Sequence, residues 1–77
     1  MFTDKTKQAI CEVAGACAQD MEYEYASDPE IVAETALDAD RLKTFGFPEA
    51  HEEVSSLIAA NGYPAVLKEA AKFVPTA

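Results

Sequence analysis

Apolar residues recur along this chain at helical spacing, in four runs separated by three corners. In the first run Ile10, Val13, Ala14, Cys17, Met21 and Tyr25 fall on one stripe at about 100° per residue, with Gln8, Glu12 and Gln19 opposite. Thr3 or Asp4 can cap it, and the pattern predicts a helix over 4–25. Tyr25 and Cys17 read as core residues. Gly15 lies off the stripe and reads as tolerated. Ser27-Asp28-Pro29-Glu30 is a restart: a capping side chain, a proline at the first helical position and an acid near the positive dipole end. The second helix is predicted over 29–44, with Ile31, Thr35, Leu42 and Phe45 on one face. Leu37 points away from that face. Three explanations stand: burial on two sides, a break near Asp38, or a Leu37 that lies on a partner surface.

The second half carries one corner twice. Gly46-Phe47-Pro48 and Gly62-Tyr63-Pro64 stand sixteen residues apart. Glycine ends a helix because it accepts positive φ, and proline starts one because its φ is already helical. The corners bound a helix over 48–61 and open another over 64–74, which Pro75 stops. Phe47, Ala50, Val54, Leu57, Ile58 and Asn61 form the stripe of the third helix, and Tyr63, Val66, Leu67, Ala70, Phe73 and Val74 that of the fourth. Two copies of a corner are too few for a solenoid. The expected fold is all-α: one domain, a compact bundle of about four helices, no sheet, with breaks near Ser27, Phe45 and Tyr63.

Length narrows this further. A chain of 77 residues makes one domain, and one of this size buries only about 60% of its unfolded surface. Dense helix packing or a partner must supply stability, because there is no metal-ligand cluster and two cysteines make no disulfide framework. Cys11 and Cys17 would lie about 9 Å apart along a helix axis, on different sides, so they cannot pair there. A reducing compartment fits free thiols. Met1-Phe2-Thr3-Asp4-Lys5 has no apolar signal region and no apolar run approaches membrane-spanning length, so the expected location is cytoplasmic.

Charge changes the picture most. Fourteen acids against six bases give a net charge of −8, which argues against direct contact with DNA, RNA or an anionic membrane and favours a basic protein surface. Solubility alone is the plainer use of such charge. No Lys or Arg occurs between Lys7 and Arg41, while eight acids lie between positions 20 and 40. Glu30, Glu34 and Asp38 stand at successive i, i+4 positions, where like charges cost a few tenths of a kcal/mol per pair. One reading is an anionic surface held out for a partner. The other is a solvated face relieved by Arg41. Tyr23 falls on the polar side of the first helix among Asp20, Glu22 and Glu24, as an interface anchor with a charged rim or as a ring covered by the loop at Ser27. The candidate partner-binding residues are Asp20, Glu22, Tyr23, Glu24, Glu30, Glu34, Leu37 and Asp38.

Catalytic patterns are missing. His51 is the only histidine, and Ser55 one turn on does not make a triad. Paired carboxylates are plentiful, but acid–base work needs a cleft, and short helices of this total length rarely enclose one of about 300 Å³ or more. Asp38-Ala39-Asp40 lacks the later ligands and glycine of an EF-hand loop, and there is no phosphate or dinucleotide fingerprint. No catalytic, metal or cofactor residue is assigned. The expected function is a non-enzymatic interaction protein, most sharply an inhibitor that occupies the nucleic-acid channel of a basic complex in place of phosphates. In size, charge and lack of catalytic motifs the chain resembles the small acidic proteins that phages and mobile elements use against host machinery, including anti-CRISPR proteins. The alternative is a small helical subunit or homodimer whose acids serve solubility, with Leu37 and Tyr23 at its interface. An enzyme built on His51 and carboxylates is the third reading, disfavoured by the pocket argument.

Overall fold

The computed structural model describes residues 1–77 in full. It contains six helices and no strand: α1 (Asp4–Ala18), α2 (Tyr23–Ala26), α3 (Pro29–Ala36), α4 (Arg41–Thr44), α5 (Pro48–Asn61) and α6 (Tyr63–Ala71). All three expected corners are present, and the all-α bundle is as the pattern predicted. Two of the four expected helices are each split in two.

Thr3 caps α1, its hydroxyl accepting from the Thr6 N–H. Glu53 of α5 fixes that cap from outside: its carboxylate accepts from the Thr3 N–H and the Thr3 hydroxyl, both at 2.9 Å. α1 ends at Ala18 rather than running to position 25. A turn through Gln19–Met21 follows, and Glu22 is extended before α2 begins. A single helix to position 25 would set Asp20, Glu22 and Glu24 against the negative end of its own dipole. The restart places Glu22 and Glu24 at the N-terminus of α2 instead, and it turns Ala26 into the interior.

α3 begins as the sequence predicts, with the Asp28 carboxylate accepting from the N–H groups of Glu30 and Ile31. Its inner face is not the expected one. Val32, Ala33, Ala36 and Leu37 are buried, whereas Ile31 and Thr35 are half-buried. The helix breaks after Ala36, and the chain turns through Asp38-Ala39-Asp40 with Ala39 at φ 40°. The break near Asp38 is thus the explanation that holds for Leu37. It lets Leu37 enter the core at 7% exposure, so Leu37 is not on a partner surface. Of the remaining expected face, Leu42 is buried on α4 while Phe45 is largely exposed.

Pro48 and Pro64 open α5 and α6, and Gly62 turns between them at φ 87°. That conformation is essentially reserved for glycine. Ala50 and Val54 of α5 are buried, Leu57 and Ile58 are half-buried, and Asn61 is exposed, outside the core. Val66, Leu67 and Ala70 carry the inner face of α6, which ends at Ala71; Val74 is buried just beyond. The core is one cluster with Ile10, Val13, Val32 and Val66 fully enclosed. α3 packs between α1 and α6, and α5 packs on α1, α4 and α6. Phe2 meets Phe73 edge-on at 5.6 Å, and the Lys7 ammonium lies 5.7 Å from the Phe73 ring centre.

Candidate interaction surface

α2 is a single turn that buries only Ala26, and it packs on α3. Its backbone is tied down: the Ser27 and Asp28 N–H groups donate to the Tyr23 and Tyr25 carbonyls at 3.0 Å each. The Ala77 N–H donates to the Ala26 carbonyl at 3.0 Å. With Ala26 inward, the other three side chains turn outward. Tyr23 is 74% exposed and Tyr25 47% exposed, so Tyr25 is not a core residue and Ser27 does not cover Tyr23. Tyr25 left the core when α1 stopped at Ala18, since its place on the stripe depended on an unbroken helix.

Asp20, Glu22 and Glu24 surround the two rings in sequence and are exposed. The protein has two ion pairs, Arg41 with Asp38 and Lys72 with Glu69, and a close approach of His51 to Asp40. None involves an acid between Asp20 and Glu34. Glu30 and Glu34 lie exposed on α3. Asp38 is not a third step of their helical ladder, because α3 has ended; it sits in the following turn, 3.8 Å from Arg41. Glu34 and Asp38 nevertheless both lie near enough to Tyr63, the first residue of α6, for their charges to act on it. Burial first, and then the charges of Glu34 and Asp38, push the Tyr63 phenol upward.

Arg41 closes the acidic interval, and its guanidinium is already engaged. It donates to the Cys17 sulfur at 3.4 Å as well as pairing with Asp38. Cys17 is half-buried, at the margin of the core rather than within it. Cys11 donates to the Phe73 carbonyl at 3.4 Å, and burial pushes its thiol upward. His51 has a partner that the sequence did not reveal: its Nε2 stands 3.8 Å from Asp40. Ser55 makes no hydrogen bond to it. No group of three or more His, Cys, Asp or Glu side chains is placed to hold a metal ion.

The expectation is that short helices rarely enclose a pocket of about 300 Å³ or more, and the hollow that the structure shows is open to solvent rather than enclosed. An open trough of about 750 Å³ runs between α1 and α5, lined among others by Thr6, Ala9, Glu12, Phe47, Glu49 and Ala50. No helix is long and apolar enough to cross a membrane. Comparison of the chain with protein-family models, with curated proteins and with solved structures returned no match.

Proposed function

We propose that this protein is a non-enzymatic interaction module whose acidic corner, Asp20 to Glu24 with α2 and the adjacent α3 carboxylates, binds a basic protein surface. The supporting observation is the pair of exposed tyrosines, Tyr23 and Tyr25, set among carboxylates that have no ion partner within the chain. Tyrosine combines a large apolar body with a hydroxyl and few rotatable bonds, so it anchors interfaces at low entropic cost. Flanking acids add steering and orientation more than affinity. Glu30 and Glu34 extend the same charge along α3. In its sharpest form the partner is a nucleic-acid-binding complex, and the acidic face takes the place of phosphates in its channel. This is the mode of action of an inhibitor of the phage or mobile-element anti-defence type.

The experiment is isolation of bound proteins from the native host on immobilised wild type and on the Tyr23→Ala/Tyr25→Ala variant, with stepwise salt elution. A basic protein retained by the wild type, released by salt and lost by the variant is the expected result. A salt-insensitive complex, or gel filtration showing that the protein binds only itself, would favour the solubility-plus-homodimer reading instead.

A further inference from the structure

We propose that the trough between α1 and α5 is a second contact site, and that it takes an extended basic segment of about four residues from a protein partner. The proposal rests on the reading that the partner is basic, though not on where α2 binds. The segment from α4 into α5 runs antiparallel to α1: Arg41 meets Cys17 near one end, and Glu53 meets Thr3 at the other. The α1 side of the trough extends from Thr3 to Glu12, about 14 Å at helical rise. An extended chain covers that length in about four residues.

Ala9 and Ala50, both buried, lie at the base of the trough, where α1 and α5 meet. Half-buried Phe47 contributes an aromatic floor beside them. A Cβ built on Gly46 at the lip would meet nothing within 4 Å, so the rim is open there. The charges of the wall decide what fits. Glu12, Glu49 and Glu53 face a single ammonium, Lys5. Glu53 is engaged by Thr3, whereas Glu12 and Glu49 make no ion pair. Lysine or arginine matches this arrangement: an aliphatic stem to lie on Phe47 and Pro48, and a cationic head for the two free carboxylates. An anion or a plain hydrocarbon does not.

The test is an amide-resolved NMR titration of the full chain with acetylated, amidated tetralysine. Shifts should concentrate in residues 5–12 and 46–53. Glu12→Gln/Glu49→Gln should weaken binding about tenfold, the worth of two partly screened pairs, while Glu30→Gln/Glu34→Gln should change it less than about twofold. Glu12 and Glu49 are exposed, so the first variant keeps its fold, and spectral dispersion verifies this. Shifts centred on residues 20–40, or equal losses in the two variants, would overturn the proposal and indicate diffuse attraction to net charge. Spermidine binding at the same residues as tightly as tetralysine would also overturn it, because spermidine has charge but no peptide backbone. Since this test needs no native partner, its failure is distinct from a failure of the tyrosine variants described above.

Discussion

Glu53 ties charge to folding more directly than any other residue. Partial burial pushes its carboxyl upward, but hydrogen bonds from the Thr3 amide, the Thr3 hydroxyl and the Thr6 hydroxyl outweigh this and hold it below the ordinary carboxylate range. A carboxyl lowered by folding adds stability above its unfolded value, about pH 4.3, and that stability is lost as pH falls through the folded value. Wild type should therefore lose more stability than Glu53→Gln between about pH 4.5 and 3, measured by urea denaturation. Equal slopes would remove Glu53 from the account. Thr3→Ala should cost about 1 kcal/mol at neutral pH, as a lost N-cap. Burial separates two further residues that look equivalent in sequence. Val66 is fully enclosed and Leu57 only half so. Val66→Ala should cost about 1–3 kcal/mol and leave a cavity, while Leu57→Ala should cost about 1–2 despite removing more atoms. A larger loss at Leu57 would mean that the end of α5 is more enclosed than described.

At the level of elements, the same substitution at two glycines should have opposite signs. Gly62 sits at φ 87° between α5 and α6, so Gly62→Ala should cost about 1–3 kcal/mol. Gly15 lies within α1, where a Cβ would meet only the Pro75 ring at 3.8 Å. Gly15→Ala should therefore raise stability by up to about 1 kcal/mol, and melting curves of the two variants test the pair together. Gly62, Pro64, Asp28 and Pro29 made their corners legible because each acts locally, through a positive φ, a fixed φ or a side-chain cap. The break at Gln19–Glu22 has no such signal. It follows from where packing partners end and from acids at a helix C-terminus, and neither shows in an apolar stripe. Leu37 gave partial warning, since a residue off its face implied a change of helix direction. Ala39 at positive φ, which makes that change, is unmarked in sequence. The inner face of α3 is Val32 rather than Ile31 because α3 is wedged between α1 and α6, a long-range arrangement. The trough was illegible for a similar reason. It is lined by residues of α1 and of the start of α5, which are distant in sequence.

For the whole molecule, the proposed binding surface draws on a net charge of −8, with the acids from Asp20 to Glu34 unpaired, and on two tyrosines presented among them. The acids were legible from sequence, whereas Tyr23 was legible only as polar-sided on an unbroken first helix, with cover by the Ser27 loop left open. The exposure of Tyr25 was not legible, because it depends on the break in α1. Reversal of Glu30, Glu34 and Asp38 to Lys should leave the fold intact, since all three are exposed and Lys is at least as good a helix former. The Asp38–Arg41 pair at 3.8 Å and the favourable place of Glu30 in the first turn of α3 are lost, each worth about 0–1 kcal/mol. The most direct test of the central claim is one titration set against the isolated basic partner, at low and high salt, with wild type, Tyr23→Ala/Tyr25→Ala and the triple Lys variant. Wild-type binding should weaken with salt, the tyrosine variant should dissociate at least about tenfold faster, and the triple variant should lose mainly association rate. If both folded variants bind as wild type does at both salt concentrations, the acidic corner is not a binding surface and its charge serves solubility.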